Sequence, residues 1–391
     1  MFGDEFPFLT PTDIDGLQRY VPTERYLSGD GAKAMERIAL PPRTVCVVCI
    51  GATIGKVCMT DRRSFANQQI NSIVVDESRH DPSYVFYICR SLRDELKARA
   101  GGAATPIINK SAFCDIQVPA PDLPAQRRIA GILSAYDELI ENCEGRIRVL
   151  DEMARGLYRE WFVLFRYPGH EKTPFVDSAV GRIPKGWECS DVGSLSDKPD
   201  GVQTGPFGSQ LHQEEYSTEG VPIVMPKDLR GFRIDDTDIA RVPEPVAERV
   251  ARHRMRVGDI VYGRRGDIGR RAFVMEHQAG TICGTGCLRI RPDMSKVNGW
   301  YLFQYLGQDN VVALIAGRAQ GVTMPNLNTK LLATVPILVP PRKLQDAFAE
   351  RTFLLAVQRE KLLAMTENLR RTRDLLLPRL LSGQLAIEDA A

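Results

Sequence analysis

The sequence predicts an α+β fold: two tandem α/β domains separated by two long antiparallel coiled-coil helices, related by a pseudo-two-fold axis. Three observations predict it. The chain repeats itself imperfectly. Each repeat closes on a proline-rich stretch followed by a long heptad-patterned segment. Within each repeat, short β-like runs outnumber helical ones.

The bulk numbers agree with this size and class. A chain of 391 residues allows two or three domains. Hydrophobic residues make up 43% and charged residues 26%, an ordinary globular balance. No apolar run reaches the roughly 18 residues of a membrane span, so no membrane association is expected. The opening stretch MFGDEFPFLTPTD lacks the basic and apolar regions of a signal peptide. Nine cysteines then point to free thiols and a cytoplasmic location. A net charge of +2 announces no polyanion by itself, so such a partner has to show in local clusters.

The repeat is visible when the second half is laid over the first. GATIGKV at 51–57 matches RGDIGRR at 265–271, an offset of 214 residues. IINKSAF at 107–113 falls near NLNTKLL at 326–332 and sets Asn109 on Asn328. VPAPDLPAQRRIA at 118–130 falls on ILVPPRKLQDAFA at 337–349, an offset of 219 that sets Gln126 on Gln345. A drift of five residues is what loop insertions produce.

The two long helices follow. Ile129, Tyr136, Cys143, Leu150 and Leu157 are spaced by sevens, and Phe348, Leu355, Leu362, Leu369 and Leu376 repeat the spacing. Ile132, Leu139 and Met153 add a second seam position to the first helix, with Arg146 as a break; the second helix has Arg351, Gln358, Met365 and Thr372 there. This predicts a coiled-coil pair, with Ile129, Tyr136, Leu150, Leu157, Phe348, Leu355, Leu362 and Leu369 as seam and partner-docking positions. Over 126–161, a rise of about 1.5 Å per residue makes a rod about 54 Å long. Ordinary core helices are the competing reading; their length, and Pro378 only at the far end, weigh against it.

The domains come next. Residues 1–119 carry strand-like TVCVVCI (44–50) and INSIVV (70–75) and a helix over 82–99. Helix 120–165 and a Pro/Gly-rich linker 166–188 lead to the second domain, 189–339. There VGDIVYG (257–263) and CLRIRP (287–292) read as strands and 298–317 as a helix. The second long helix is 340–384 and the tail 385–391. Both domains should hold mostly antiparallel sheets. Setting FPFLTPTDI (6–14) on VPIVMPKDL (221–229) leaves repeat 1 without a counterpart of 181–215. The first domain is therefore expected to be truncated relative to the second, or its start placed late. Antiparallel helices would put the domains at opposite ends of a rod, a caliper suited to the two oppositely oriented sites that duplex DNA offers.

The strongest charge cluster is RVARHRMRVGDIVYGRRGDIGRR at 249–271, with eight Arg against two Asp. Arg264, Arg265, Arg270 and Arg271 flank GDIG, a glycine turn expected to project them from a loop toward guanine edges and phosphates. The first domain has a thinner version in Arg43, Lys56, Arg62 and Arg63, with Thr53 in the turn. Gln68, Gln69 and Asn71, next to Asn67, supply the amides that suit adenine. QTGPFGSQL (203–211), with Thr204, Phe207 and Ser209, is a loop whose backbone amides could cradle a phosphate, and Lys227 joins the candidate DNA-binding set. The bland alternative is a solvated basic surface.

Catalytic motifs are missing. There is no phosphate-binding P-loop, no His-Glu-x-x-His, no nucleophile elbow, no amino-methyltransferase pocket and no metal-nuclease carboxylate pattern. Cys46-x-x-Cys49 lies in a Val-rich strand, and Cys283-x-x-x-Cys287 lacks a second ligand pair at finger spacing, so no metal site is expected.

Several stretches resemble the specificity (S) subunits of type I restriction–modification systems. VPAPDLPAQRRIAGILSAYDELIE resembles the start of the family's first conserved helix. LYREWFVLFRYPGHE with GRIPKGWE resembles the junction into its second target-recognition domain. GPFGSQL, GDIVYGRRGDIGRRAFV and GTGCLRIRP resemble motifs inside such a domain, and LLLPRLLSGQL resembles the C-terminal ending. The resemblance implies a non-catalytic subunit in which 1–119 and 189–339 are target-recognition domains binding a bipartite double-stranded DNA target. The paired helices would set the spacer and dock two methyltransferase subunits, and restriction/translocase subunits would join. The chain itself would take no cofactor; S-adenosylmethionine, ATP and Mg2+ would belong to the partners, whose adenine methylation uses base flipping. A role in phage defence follows. The alternatives are a coiled-coil interaction scaffold without DNA binding, favoured if the arginines pair with acids of their own domain, and an enzyme with unrecognised carboxylates.

Overall fold

The computed structural model describes residues 1–16, 18–101, 106–178, 180–208, 210–264, 269–318 and 326–385. The chain divides into two compact units, Met1–Val149 with Gln358–Ala391, and Leu150–Val357.

In the first unit the strand Val45–Val48 lies between Val57–Met59 and Ile70–Ile73, antiparallel to both. Its VCVV sequence is buried throughout because alternate side chains enter different cores. Val45 and Val47 pack with the helix Pro82–Ser91, while Cys46 and Val48 pack with Leu9 and Ile14. A strand covered on both faces has no polar side to alternate with. A second sheet orders Phe2–Gly3, Tyr26–Leu27, Phe6–Leu9 and Phe65–Ala66, its last pair parallel. The helix expected over 82–99 is two helices, Pro82–Ser91 and Arg93–Arg99.

The second unit repeats this plan. Ile260–Gly263 pairs antiparallel with Arg271–Phe273 and Cys287–Ile290, and a further strand, Val202–Thr204, adds to the far edge. That strand comes from the segment with no counterpart in repeat 1. The parallel pairing Phe8↔Phe65 recurs as Ile223↔Ile282. The stretch 166–188 is more than a linker. It forms the hairpin Phe175–Ser178 with Gly181–Pro184, and Tyr167, Ile183 and Trp187 are buried in the unit's core. Its aromatic residues, not its prolines, decide its place.

The proline-then-helix unit has the same chemistry in both copies. The Asp81 backbone N–H donates to Gln126 Oε1 (3.0 Å), and Gln126 Nε2 donates to the Pro121 carbonyl (2.7 Å). The Asn298 N–H donates to Gln345 Oε1 (2.8 Å), and Gln345 Nε2 to the Pro340 carbonyl (2.7 Å). Asp81 and Asn298 are themselves N-caps of Pro82–Ser91 and Gly299–Tyr305. Each buried glutamine thus ties the start of a long helix to the cap of a domain helix. Tyr84 and Tyr301 reinforce the tie by donating to the carbonyls of Pro119 and Leu338. Asn109 and Asn328, aligned in sequence, are matching N-caps of short helices.

The long helices are Leu123–Tyr158 and Arg342–Leu381. In the first unit they run antiparallel, with Asp137 paired to Arg373 and Glu144 to Arg370. In the second unit Tyr158 and Phe162 pack on Phe348, with centroids 5.9 and 4.9 Å apart. Of the expected seam positions, Ile129, Phe348 and Leu362 are buried, and Tyr136, Leu150, Leu157, Leu355 and Leu369 are half-buried. The second seam position needs correction. Leu139 and Met153 are exposed, while Gln126, Leu133, Asp137 and Ile140 face inward. On the second helix the companion stripe is polar: Gln345, Thr352, Thr366 and Arg373 are all buried. An apolar heptad search cannot see a stripe whose members satisfy themselves by hydrogen bonds. The first helix ends in a wide π turn, Arg159–Val163. There both Trp161 and its neighbour Phe162 are buried in the aromatic core.

Candidate nucleic-acid interface

The matched hairpins carry the candidate surface. In the first unit the turn between Val45–Val48 and Val57–Met59 holds Thr53 and Lys56, both half-buried. Arg62 and Gln68 are exposed. Arg63 is also exposed but ion-paired with Glu36, and its guanidinium lies 5.4 Å from the Phe6 ring. Arg43 pairs with Glu77 at 2.6 Å. Asn67 Nδ2 donates to Gln69 Oε1 (3.1 Å) and Asn71 Nδ2 to Cys49 Sγ (3.1 Å). Asn67, Gln69 and Asn71 therefore have amide groups engaged inside their own domain, and of the four amides expected to suit adenine Gln68 faces solvent.

In the second unit the basic run splits by location. Arg249 pairs with Glu215 and Arg254 with Glu248 (2.8 Å), so these two brace the domain. Arg264 ends its strand half-buried; its Nε donates to Asn326 Oδ1 and the Leu327 carbonyl, both at 3.1 Å. Its guanidinium sits 5.9 Å from the ring of Phe207, which is 55% exposed. Arg270 is exposed. Arg265 and Ser209 lie outside the described residues.

Two expectations are corrected. Arg271 does not project from a loop. It opens the strand Arg271–Phe273 opposite Tyr262 and is 5% exposed. The repeat alignment explains this, because Arg271 falls on Val57, an inward strand position. Four amides of the GPFGSQL loop are already engaged, so they form no cradle for a phosphate. The N–H groups of Gly205, Gln210 and Leu211 donate to the carbonyls of Cys287, Phe207 and Phe207, and that of Phe207 to Gln210 Oε1. Three of these four bonds close the loop's own turn. Thr204 is half-buried in the edge strand Val202–Thr204.

Beside Arg271 opens a cleft of about 760 Å3, lined among others by Lys227, Arg230, Phe232, Arg270 and Asp309. Sequence reasoning found Lys227 but missed Arg230 and Phe232. Their signal was the short hairpin LRGFRI, with Leu229–Arg230 and Arg233–Ile234 as strands and Gly231–Phe232 as its tip. Farther back, His253 is buried, and burial followed by the nearby Arg252 charge pushes its pKa down to about 4. Cys46, Cys49, Cys283 and Cys287 are buried, as small hydrophobes would be. Among the described residues no group of three His, Cys, Asp or Glu side chains is placed to hold a metal ion, and no helix is long and apolar enough to cross a membrane.

A duplicated α+β domain with basic hairpin edges, each copy anchored to a long helix, defines a two-part recognition protein. Comparison with known proteins specifies the class further. The type I restriction modification DNA specificity domain matches residues 4–152. The MjaIX type I restriction enzyme specificity subunit of Methanocaldococcus jannaschii is 24% identical over 99% of this chain and 88% of its own length. The HindI specificity subunit of Haemophilus influenzae is 36% identical over 122 residues, 31% of this chain and 26% of its own. The crystal structure of the S subunit from M. genitalium superimposes with a TM-score of 0.64 at 19% identity, covering 97% of this chain and 93% of that one. Over nearly its whole length the chain is thus similar to the specificity subunits of type I restriction–modification systems, its residues 4–152 match their DNA specificity domain, and it shares the fold of a solved S subunit.

Proposed function

We propose that the chain binds a bipartite duplex target, one half-site for each duplicated domain, and docks two methyltransferase subunits on its long helices. Restriction/translocase subunits complete the assembly, and S-adenosylmethionine, ATP and Mg2+ act in those partners. The carrying observation is the duplication itself, down to the paired Gln126 and Gln345 ties that seat each domain on its helix. One domain fold used twice suits one ligand feature met twice. Arg62, Gln68, Phe207, Arg264 and Arg270 are the reading's contact residues, and Arg271 its buried cation. The scaffold reading is supported by Arg43 and Arg63, which pair with acids of their own domain. Arg271 has no such acid among the described residues, which favours an anionic ligand.

The test is the methylome of cells carrying a cognate type I methyltransferase gene, with and without this chain. A split motif with a fixed unspecified spacer, present only with the chain, is the expected result. A continuous motif, or none while both proteins are folded, overturns the reading.

A further inference from the structure

We propose that the cleft beside Arg271 is a phosphate subsite of the DNA interface, with the buried guanidinium as its anchoring cation and the Gly231–Phe232 tip as its wall. The inference rests on the DNA-binding reading and adds a ligand group and a place to it.

The first observation is an uncompensated charge. Arg271 is 5% exposed, yet its polar partners are two carbonyls, those of Phe303 (3.4 Å) and Gly269 (3.3 Å). Its other neighbours are the rings of Phe232 and Phe303, at 4.7 and 5.1 Å. Among the described residues no carboxylate pairs with it. Buried arginines are ordinarily neutralised, as Arg373 is by Asp137 in this chain. At Arg271 the missing counter-charge is left for a ligand. The seat is made for the group. A Cβ on Gly307 would come within 1.5 Å of Arg271 Nη2, so any larger residue there displaces the guanidinium.

The second observation is backbone strain. Gly231 and Phe232 both have positive φ, 56° and 67°. This is the geometry of a two-residue primed hairpin turn, which favours Asn-Gly and disfavours a bulky aromatic. Phe232 holds that conformation while stacking on Arg271 and remaining 48% exposed. Strain retained at a cleft wall points to use of the wall. The third observation is the lining: among its described residues Lys227, Arg270 and Arg230, the last 3.4 Å from Asp235, stand against one acid, Asp309. The Arg230 Nε donates to the Lys227 carbonyl (3.1 Å), which fixes its direction. A volume of about 760 Å3 admits a phosphate with its sugar. The first domain has Val57 where Arg271 stands, so the subsite serves one half-site only.

A phosphate could reach the cleft from the duplex backbone or from a free anion; the experiment separates these. Full-length chain is titrated with a duplex carrying its methylated motif and with a scrambled duplex, over a salt series, by fluorescence anisotropy. Arg271→Gln should weaken both duplexes equally, by about tenfold or more, and lower the slope of log K against log salt by about one. Phe232→Gly relieves the positive φ, so it keeps the fold and should weaken both duplexes several-fold. An unchanged salt slope in folded Arg271→Gln, loss confined to one base pair, or full affinity in Phe232→Gly overturns the proposal. Inorganic phosphate is the second probe. If it raises the Tm of the wild type but not of Arg271→Gln while the DNA slopes coincide, the site takes a free anion and the DNA assignment is overturned. A wild-type chain that binds neither duplex overturns the functional reading instead.

Discussion

Replacing Arg373 by methionine tests whether charge, rather than apolar packing, fixes the antiparallel register of the helices in the first unit. The side chains of Arg373 and Asp137 are 1% and 4% exposed. Asp137 Oδ1 accepts from Arg373 Nη1, and Oδ2 accepts from the Tyr87 hydroxyl at 2.6 Å. Arg373→Met leaves a buried carboxylate whose remaining hydrogen bond comes from the Tyr87 hydroxyl, with the Arg19 and Arg90 charges acting on it from nearby, a change that costs about 3 kcal/mol. The pair change Arg373→Met with Asp137→Leu removes both buried charges, orphans the Tyr87 hydroxyl and frees the exposed Asp374 from Arg373, costing about 1–3 kcal/mol. The double variant should therefore be more stable than the single. Urea unfolding followed by far-UV ellipticity, with amide exchange localised to the first unit, measures both. Trp161, Trp187 and Trp300 all lie in the second unit, so their fluorescence is an internal control for damage there. A single-variant cost under about 1 kcal/mol, or additive losses in the double, would refute the reasoning.

Three further predictions use the same chain. His253 titrates near 4 when folded and near 6.5 when unfolded, so its contribution is complete above about pH 6.5 and is lost as pH falls toward 4. The loss reaches about 3 kcal/mol; tryptophan-monitored stability should fall over that window in the wild type and stay flatter in His253→Asn, and parallel curves would discard the assignment. Gln345→Ala orphans the Asn298 N–H and the Pro340 carbonyl and should cost about 2–4 kcal/mol by tryptophan fluorescence. Gln126→Ala should match it in amide exchange of the first unit, and a silent variant at either site would break the equivalence of the two ties. Phe207→Ala should leave Tm unchanged, because the ring is 55% exposed, while weakening DNA binding by about tenfold; unaltered affinity removes Phe207 from the interface.

The repeat was legible because matched loops and caps need particular residues. Gln126 and Gln345, or Asn109 and Asn328, keep their identity since each makes the same bonds in each copy. Strands such as Val45–Val48 were legible as unbroken apolar runs. Three things were hidden. The second seam was looked for as an apolar stripe, and Thr352, Thr366 and Arg373 are polar residues satisfied internally. The direction of Arg271 was misread because a charged residue in a glycine-rich stretch suggests a loop, although its alignment with Val57 already placed it inside. Phe232 went unnoticed because its position depends on a positive φ, which an aromatic residue does not advertise.

The polar stripe of the second long helix also limits how this chain can associate. Two second helices laid together would each bury an Arg373 with no Asp137 or Tyr87 to receive it. That arrangement carries the desolvation cost without the compensating bonds. A concentrated solution is therefore not driven toward like-with-like helix pairing. Any exchange of helices between molecules still has to match a first helix with a second, and so preserves the order in which the two domains are presented.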